Sequence, residues 1–489
     1  MNNSVAPQAE PAVVEFPPAK LTKTISPQIQ QELQASGVAQ VIVVLGAPAA
    51  VRALAAVGAS LGKPSQNALE SFFTASEFSQ RSALIRAGLA PRAVRAAAAA
   101  SLAAAPALPP VQHFPNLGVM LGTVTQSGLN NLINDPRVTD LGGAPQISLI
   151  RPQRAEPAKL STATTWGLDF LRVPALWKQG LSGKKVKVGH LDTGVDGKHP
   201  ALKAAVSQFA EIDFLGRLTT PSPAAFDSDE HGTHTAGTIA GRAVNGKSIG
   251  VAPGAELCSA MVIEGGQVVA RILGGLDWAI GQGVRVISMS LGLRGYLEDF
   301  IPIVRILRAR GVLPVFAVGN EGPGTSRSPG NYPEALSVGA VDQGSQVPNF
   351  SSSQRFSRAD NPIVPDVVAP GVNVISAQPN NRYQAMDGTS MATPHIAGLA
   401  ALLCEAKPSA TVAELEDAIF SSCNLGQIPA DRGNRGVPDA VKALLKLTNI
   451  NADAPAASAI KPASKKRAVA KKKKARKKSA SKSKSGKKK

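Results

Sequence analysis

Short, unbroken apolar runs alternate with helix-periodic stretches through the second half of the chain. Runs at 186–191, 284–290, 312–318 and 336–341 read as strands, while 268–282, 301–310 and the long stretch after Met391 read as helices. A strand with one wet face alternates apolar and polar residues, whereas an unbroken apolar strand is covered on both faces. The pattern therefore predicts an α/β domain over 164–450: a doubly wound, mostly parallel sheet with helices on both faces.

Upstream, a small α+β unit is predicted over 40–150. Its strands fall at 41–45, near 117–123 and near 146–150, with helical patterns across 67–88 and a helix at 126–133. The Ala-rich stretch 93–105 reads equally as helix or as low-complexity linker. Residues 1–39 form a polar, Pro-bearing leader, and 151–163 offer little to bury and read as a strand-free linker that contains a processing site. From 451 to 489 the chain turns to Ala, Ser, Pro and Lys, too little apolar surface to fold, and a disordered tail is expected.

Charge sharpens this division. Of the net charge of +19, residues 461–489 supply fourteen Lys and two Arg without one acidic residue, so the rest of the chain is close to neutral. Such an arm binds nucleic acid or another polyanion by counterion release, and it lacks aromatics for base stacking. Cys258, Cys404 and Cys423 have no metal-like spacing and imply buried thiols rather than a disulfide framework. The first residues show no basic start followed by an apolar run, so no Sec signal is read. A cytoplasmic protein, or one exported by another route, is expected. No run approaches the roughly 20 apolar residues of a membrane span.

Three segments carry chemistry. Val188-Gly-His-Leu-Asp-Thr-Gly is an apolar strand ending in Asp192, at the strand end where α/β sheets collect ligands. Asp229-Glu-His-Gly-Thr-His-Thr-Ala-Gly places His231 at a small-residue helix start; His231 and His234 could instead be metal ligands, but no further ligand-type residue stands at the right spacing. Asp387-Gly-Thr-Ser-Met-Ala-Thr-Pro-His puts Ser390 at the entry of an apolar helix. A serine there is a cap unless a base and an orienting acid converge on it.

In that order, Asp-Thr-Gly, His-Gly-Thr-His-x-Ala-Gly and Gly-Thr-Ser-Met-Ala-Thr-Pro-His resemble the subtilisin-like serine proteases, the subtilases, over about 164–447. The resemblance implies a serine endopeptidase with Ser390 as nucleophile, His231 as general base and Asp192 as its orienting carboxylate. Val312-Leu-Pro-Val-Phe-Ala-Val-Gly-Asn-Glu-Gly looks like the family's oxyanion segment, with Asn320 as side-chain donor. Ser288-Met-Ser-Leu-Gly resembles the substrate-binding strand, with Ser290, Leu291 and Gly292 along its edge. Gly292 and Gly319 would then flank the primary specificity pocket. His190, His234 and His395 are not catalytic in this reading.

The resemblance implies no cofactor for the chemistry and no metal at the site. The stretch 242–247, where many subtilases hold calcium, reads Arg-Ala-Val-Asn-Gly-Lys without a carboxylate, and calcium elsewhere stays open. Residues 40–150 fit the β-α-β-β-α-β order of a subtilase propeptide, which acts as an intramolecular inhibitor. Protein or peptide substrates and a monomer without a membrane span are expected. Two other function classes compete: a nucleic-acid-binding protein built around the basic arm, and a binding scaffold with a dead site. The second requires the loss of a triad residue, and all three are present.

Overall fold

The computed structural model describes residues 25–46, 69–74, 111–263, 268–359 and 361–453. Most of the leader, most of the 67–88 helical pattern, the Ala-rich stretch and the basic arm lie outside the described residues. The end of the stretch taken as leader is ordered, which corrects that boundary: helix α1 spans Pro27–Ser36 and strand β1 begins at Val38 and runs to Leu45. Ser26 caps α1 by accepting from Ile29 N, Pro27 opens it, and Gly37 at φ 74° closes it. Ile29 alone of that helix is buried, so the apolar signal was weak.

The small unit continues with β2 (Val111–Phe114), β3 (Val119–Thr125), helix α2 (Gln126–Asn134) and β4 (Val138–Gly143). Its sheet has the order β2-β3-β1-β4, antiparallel throughout. Val41 and Val43 of β1 face α1 and α2 through Ile29, Leu129 and Leu132, whereas Ile42 and Val44 face the larger domain. Burial on both faces explains the unbroken apolar run of β1.

Two short strands lead into the larger domain: β5 (Ser148–Leu149) and β6 (Arg154–Ala158). Then come β7 (Lys187–Asp192), β8 (Val206–Glu211), α3 (His231–Ala240), β9 (Glu256–Met261) and α4 (Val269–Gln282). β10 (Val286–Met289), β11 (Leu291–Arg294), α5 (Ile301–Ala309), β12 (Leu313–Ala317), β13 (Arg327–Ser328) and β14 (Leu336–Val341) follow. The chain goes on through β15 (Val367–Pro370), β16 (Val374–Gln378), β17 (Arg382–Asp387), α6 (Thr389–Ala406), α7 (Val412–Ser422) and α8 (Ala440–Thr448).

Seven strands form one parallel sheet in the order β15-β14-β12-β10-β7-β9-β8. Val188, Val286, Val315 and Val338 point to one face, under α3, α6, α7 and α8. Leu191, Ile287, Met289 and Phe316 point to the other, under α4, α5 and the small unit. Helices on both faces of a parallel sheet are the α/β architecture that the unbroken strands predicted.

The strand near 146–150 pairs antiparallel with β11 of the larger domain rather than with the small unit's sheet, Leu149 opposite Leu291 and Ser148 opposite Gly292. One expectation is corrected. The stretch 151–163 is not strand-free, because β6 pairs antiparallel with β17 from Arg154 opposite Asp387 to Ala158 opposite Tyr383. Backbone pairing at a sheet edge holds β6 while the side chains of Arg154 to Pro157 stay exposed, so no buried periodicity marks it.

Candidate active site

Asp192 ends β7 and His231 starts α3, and the local sequence lets the two meet. A Cβ on Gly232 would lie 2.1 Å from the Gly194 carbonyl oxygen, so only glycine allows the start of α3 to seat against the Asp-Thr-Gly turn. His231 Nδ1 then donates to Asp192 Oδ1 over 2.7 Å, both groups buried. Thr193 N also donates to Asp192 Oδ1 at 2.8 Å, and Thr235 Oγ1 donates to Oδ2 at 3.2 Å. Burial works against ionising Asp192, yet the facing imidazole outweighs it and holds the carboxyl below its usual range. Burial likewise opposes charging His231, and Asp192 outweighs that to raise the imidazole above its usual range.

Behind this pair lies a group that the sequence reading did not connect to the site. His190 Nε2 is 2.9 Å from Thr235 Oγ1 and its Nδ1 is 2.9 Å from Ser259 Oγ. Burial pushes this imidazole down to about 4, so it packs neutral on the sheet. Thr235 thereby joins a neutral ring to the Asp192 carboxylate. A threonine one turn along a helix from His231 gives no signal in the sequence.

Ser390 is fully buried in the first turn of α6. Its Oγ donates to the carbonyl of Ile150 at 2.6 Å, and His231 Nε2 has no hydrogen-bond partner among the described residues. Ile150 N in turn donates to Ser290 O at 3.1 Å. Together with the pairing of β5 on β11, this lays residues 148–150 along Ser290, Leu291 and Gly292 as an added antiparallel strand. Asn320 Nδ2 donates to the next carbonyl, Arg151 O, at 2.9 Å. The Asn320 amide is fixed by Thr389, whose N and Oγ1 both donate to Oδ1 at 2.9 Å, a second role that the motif reading did not assign. Gly319, at φ 124°, precedes Asn320, and its carbonyl accepts from Thr389 Oγ1 at 3.2 Å.

The remaining histidines are engaged elsewhere. His234 Nε2 bonds the Val374 carbonyl at 2.9 Å, and His395 Nδ1 bonds the Met391 carbonyl at 2.8 Å. Burial pushes them down to about 3 and about 4 respectively. Along 242–247, two cations bond backbone carbonyls: Arg242 on Ala204 and Ala255 at 3.0 Å, and Lys247 on Leu160. All three cysteines are free thiols, Cys258 and Cys404 buried and Cys423 partly so. Among the described residues no helix is long and apolar enough to cross a membrane.

A buried Asp–His pair, a helix-entry serine on the Ile150 carbonyl and an amide donor on the Arg151 carbonyl beside it are groups that can support acyl transfer. A family model described as the Subtilase family matches residues 183–445. M-protease of Shouchella clausii (strain KSM-K16) is 38% identical over 267 residues, 54% of this chain and 66% of that protein. Subtilisin Savinase of Lederbergia lenta is 39% identical over 246 residues, 50% of this chain and 85% of that protein. Subtilisin E of Bacillus subtilis (strain 168) is 34% identical over 296 residues, 59% of this chain and 74% of that protein.

Proposed function

This chain belongs to the subtilase family, and on that footing we propose that it is a serine endopeptidase acting through an acyl-enzyme. In this reading His231 Nε2 takes the Ser390 proton as Oγ attacks a peptide carbonyl, and Asp192 stabilises the imidazolium that forms. Negative charge then develops on the carbonyl oxygen, where the Ser390 N–H acts as donor together with Asn320 Nδ2, which in the uncut chain rests on the neighbouring Arg151 carbonyl and has to shift to the attacked one. His231 returns the proton to the leaving amine, the acyl-enzyme forms, and water repeats the sequence to release the acid. Protein and peptide chains are the substrates.

One observation carries the reading: the intact Ile150–Arg151 bond lies in the site as a substrate would. Residue 149 pairs on β11, Ile150 N meets Ser290 O, and the Ile150 carbonyl receives the Ser390 hydroxyl. We infer that the enzyme cuts itself there, one bond before the stretch 151–163 in which the sequence reading put the processing site. The small unit is then the intramolecular inhibitor, docked through Gly143 N on Asp299 Oδ1 at 2.5 Å and Leu117 N on Asp277 Oδ1 at 2.9 Å. Residues 461–489 are an accessory arm for nucleic acid or another polyanion, a reading supported by their charge alone. The decisive experiment is labelling of the purified protein with a fluorophosphonate probe, which reacts only with an activated serine. An unlabelled, folded protein would refute the enzyme.

A further inference from the structure

Gly292 and Gly319, the two glycines expected to flank the pocket for the residue before the cut, are both backed by one further side chain, Arg327. A Cβ on Gly292 would lie 2.8 Å from Arg327 Cβ and 3.3 Å from its Cδ. On Gly319 it would lie 3.2 Å from Arg327 Cγ and 2.8 Å from Glu321 Oε2. The aliphatic stem of Arg327 therefore runs through the room that both glycines free. It arrives from β13, which pairs with β11 on the edge opposite β5, with Arg327 facing Arg294 across the ladder.

The guanidinium is built in rather than lodged by chance. Only 10% of the Arg327 side chain and 17% of the Glu321 side chain are exposed, against 75% for Arg294. Arg327 Nε donates to Glu321 Oε1 at 3.0 Å and Oε2 at 3.1 Å, and Nη2 donates to Oε1 as well. Nη1 donates to the Gly292 carbonyl at 3.0 Å and to Ser148 Oγ at 3.3 Å. Glu321 also accepts from Asn320 N at 3.1 Å, which fixes the carboxylate beside the oxyanion donor. A fork held at both ends does not swing aside for a large side chain, because moving it would break the bidentate pair and leave the largely buried carboxylate with only the exposed Arg294, at 3.4 Å, as a cationic partner among the described residues.

We propose that the Arg327–Glu321 ion pair floors the pocket for the residue before the cut and restricts it to short aliphatic side chains, Ile and Val among them, against aromatic ones. Ile150, fully buried in the uncut chain, is the occupant of that kind which the sequence itself supplies. The proposal rests on the serine endopeptidase reading and adds the substrate class to it.

The test is kcat/KM on tetrapeptide p-nitroanilides whose last residue is Ala, Val, Ile, Leu, Phe or Tyr. Wild-type enzyme should favour Ile and Val over Phe by about tenfold or more, the scale on which a pocket sorts side chains by size. The double variant Arg327→Ala with Glu321→Gln, which leaves no lone buried charge, should raise the Phe-to-Val ratio by about 10- to 100-fold, mainly through KM. A second arm needs no new enzyme pocket: Ile150→Phe in the wild-type chain should slow self-cutting at 150–151. Wild-type preference for Phe, or an Ile150→Phe chain that matures at the normal rate, overturns the floor while leaving the endopeptidase standing. Turnover of none of the substrates together with failed fluorophosphonate labelling overturns the endopeptidase reading, and this proposal with it.

Discussion

Ser390 gives its hydroxyl hydrogen to the carbonyl oxygen of Ile150 over 2.6 Å, and not to His231. A peptide bond so placed, with the N–H of the residue before it, Ile150, held by Ser290 O, is positioned for attack once the hydroxyl rotates to the imidazole. We predict that wild-type protein yields a large fragment beginning at Arg151. Ser390→Ala protein should accumulate at full length. N-terminal sequencing of both checks this, and uncut yet fully active wild-type enzyme would refute the inhibitory unit.

The Asn320 amide gives a graded prediction. Removing one oxyanion donor costs about 100- to 1,000-fold in turnover, a figure taken from a member of this family, and Asn320→Ala should fall in that range with KM little changed. Thr389→Val keeps the backbone donor to Oδ1 but removes the hydroxyl donor, so it should lower kcat by less than Asn320→Ala does. Equal losses would mean that the hydroxyl does more than orient the amide.

His231 sets the pH dependence. The base accepts a proton only when neutral, and the charges of Asp192, Asp227 and Asp229 raise its pKa above the usual 6.5 against the pull of burial. A raised pKa keeps the ring charged to higher pH, so kcat/KM should climb with pH through a midpoint above 6.5. His190, His234 and His395, at about 4, 3 and 4, are neutral throughout that climb and do not contribute. A pH–rate profile with its midpoint well below 6.5 contradicts a His231 base.

The proposed accessory role of the basic arm predicts that it separates from the chemistry. Deleting residues 456–489 should leave hydrolysis of small peptides unchanged and abolish retention on heparin or DNA at low salt. Each phosphate contact adds about 0.9 to the slope of log affinity against log salt, so the full chain should show a steep slope and the truncated one a flat one. Lost turnover with unchanged elution would tie the arm to the catalytic fold.

Elements buried on both faces were the legible ones. β14 falls on the expected 336–341 because all six of its residues are buried, five of them apart from Ser337 apolar or glycine. β8 and β9 escaped notice: β8 carries exposed Ser207 and Gln208, and β9 hides Ser259 against His190. The strand near 146–150 was legible as a strand, but apolar residues do not say which edge they join. The motifs marked Asp192, His231, Ser390 and Asn320, which carry unusual residue combinations. Thr235 and Thr389 act through hydroxyl hydrogen bonds that their place in the sequence does not announce, and only coordinates connect them to the site.

The pairing of β6 with β17 should outlast the proposed cut at 150–151, because none of its residues lies before Arg154. Severing that bond frees β5 from the domain, but β6 stays covalently joined through 159–164, where Ser248 N holds Ala163 O at 2.8 Å. The new N-terminus is then a tethered rival for the leaving-group side of the cleft, at an effective concentration on the order of millimolar. Peptides extended past the cut must displace it, whereas substrates ending in a small leaving group need not. KM for extended peptides should therefore fall when Glu156→Pro removes a ladder position opposite Ala385, with KM for p-nitroanilides unmoved. If the proposed cut occurs, the newly matured enzyme should behave kinetically as a competitively self-inhibited one, its taste for long chains set by how firmly its own first residues stay zipped.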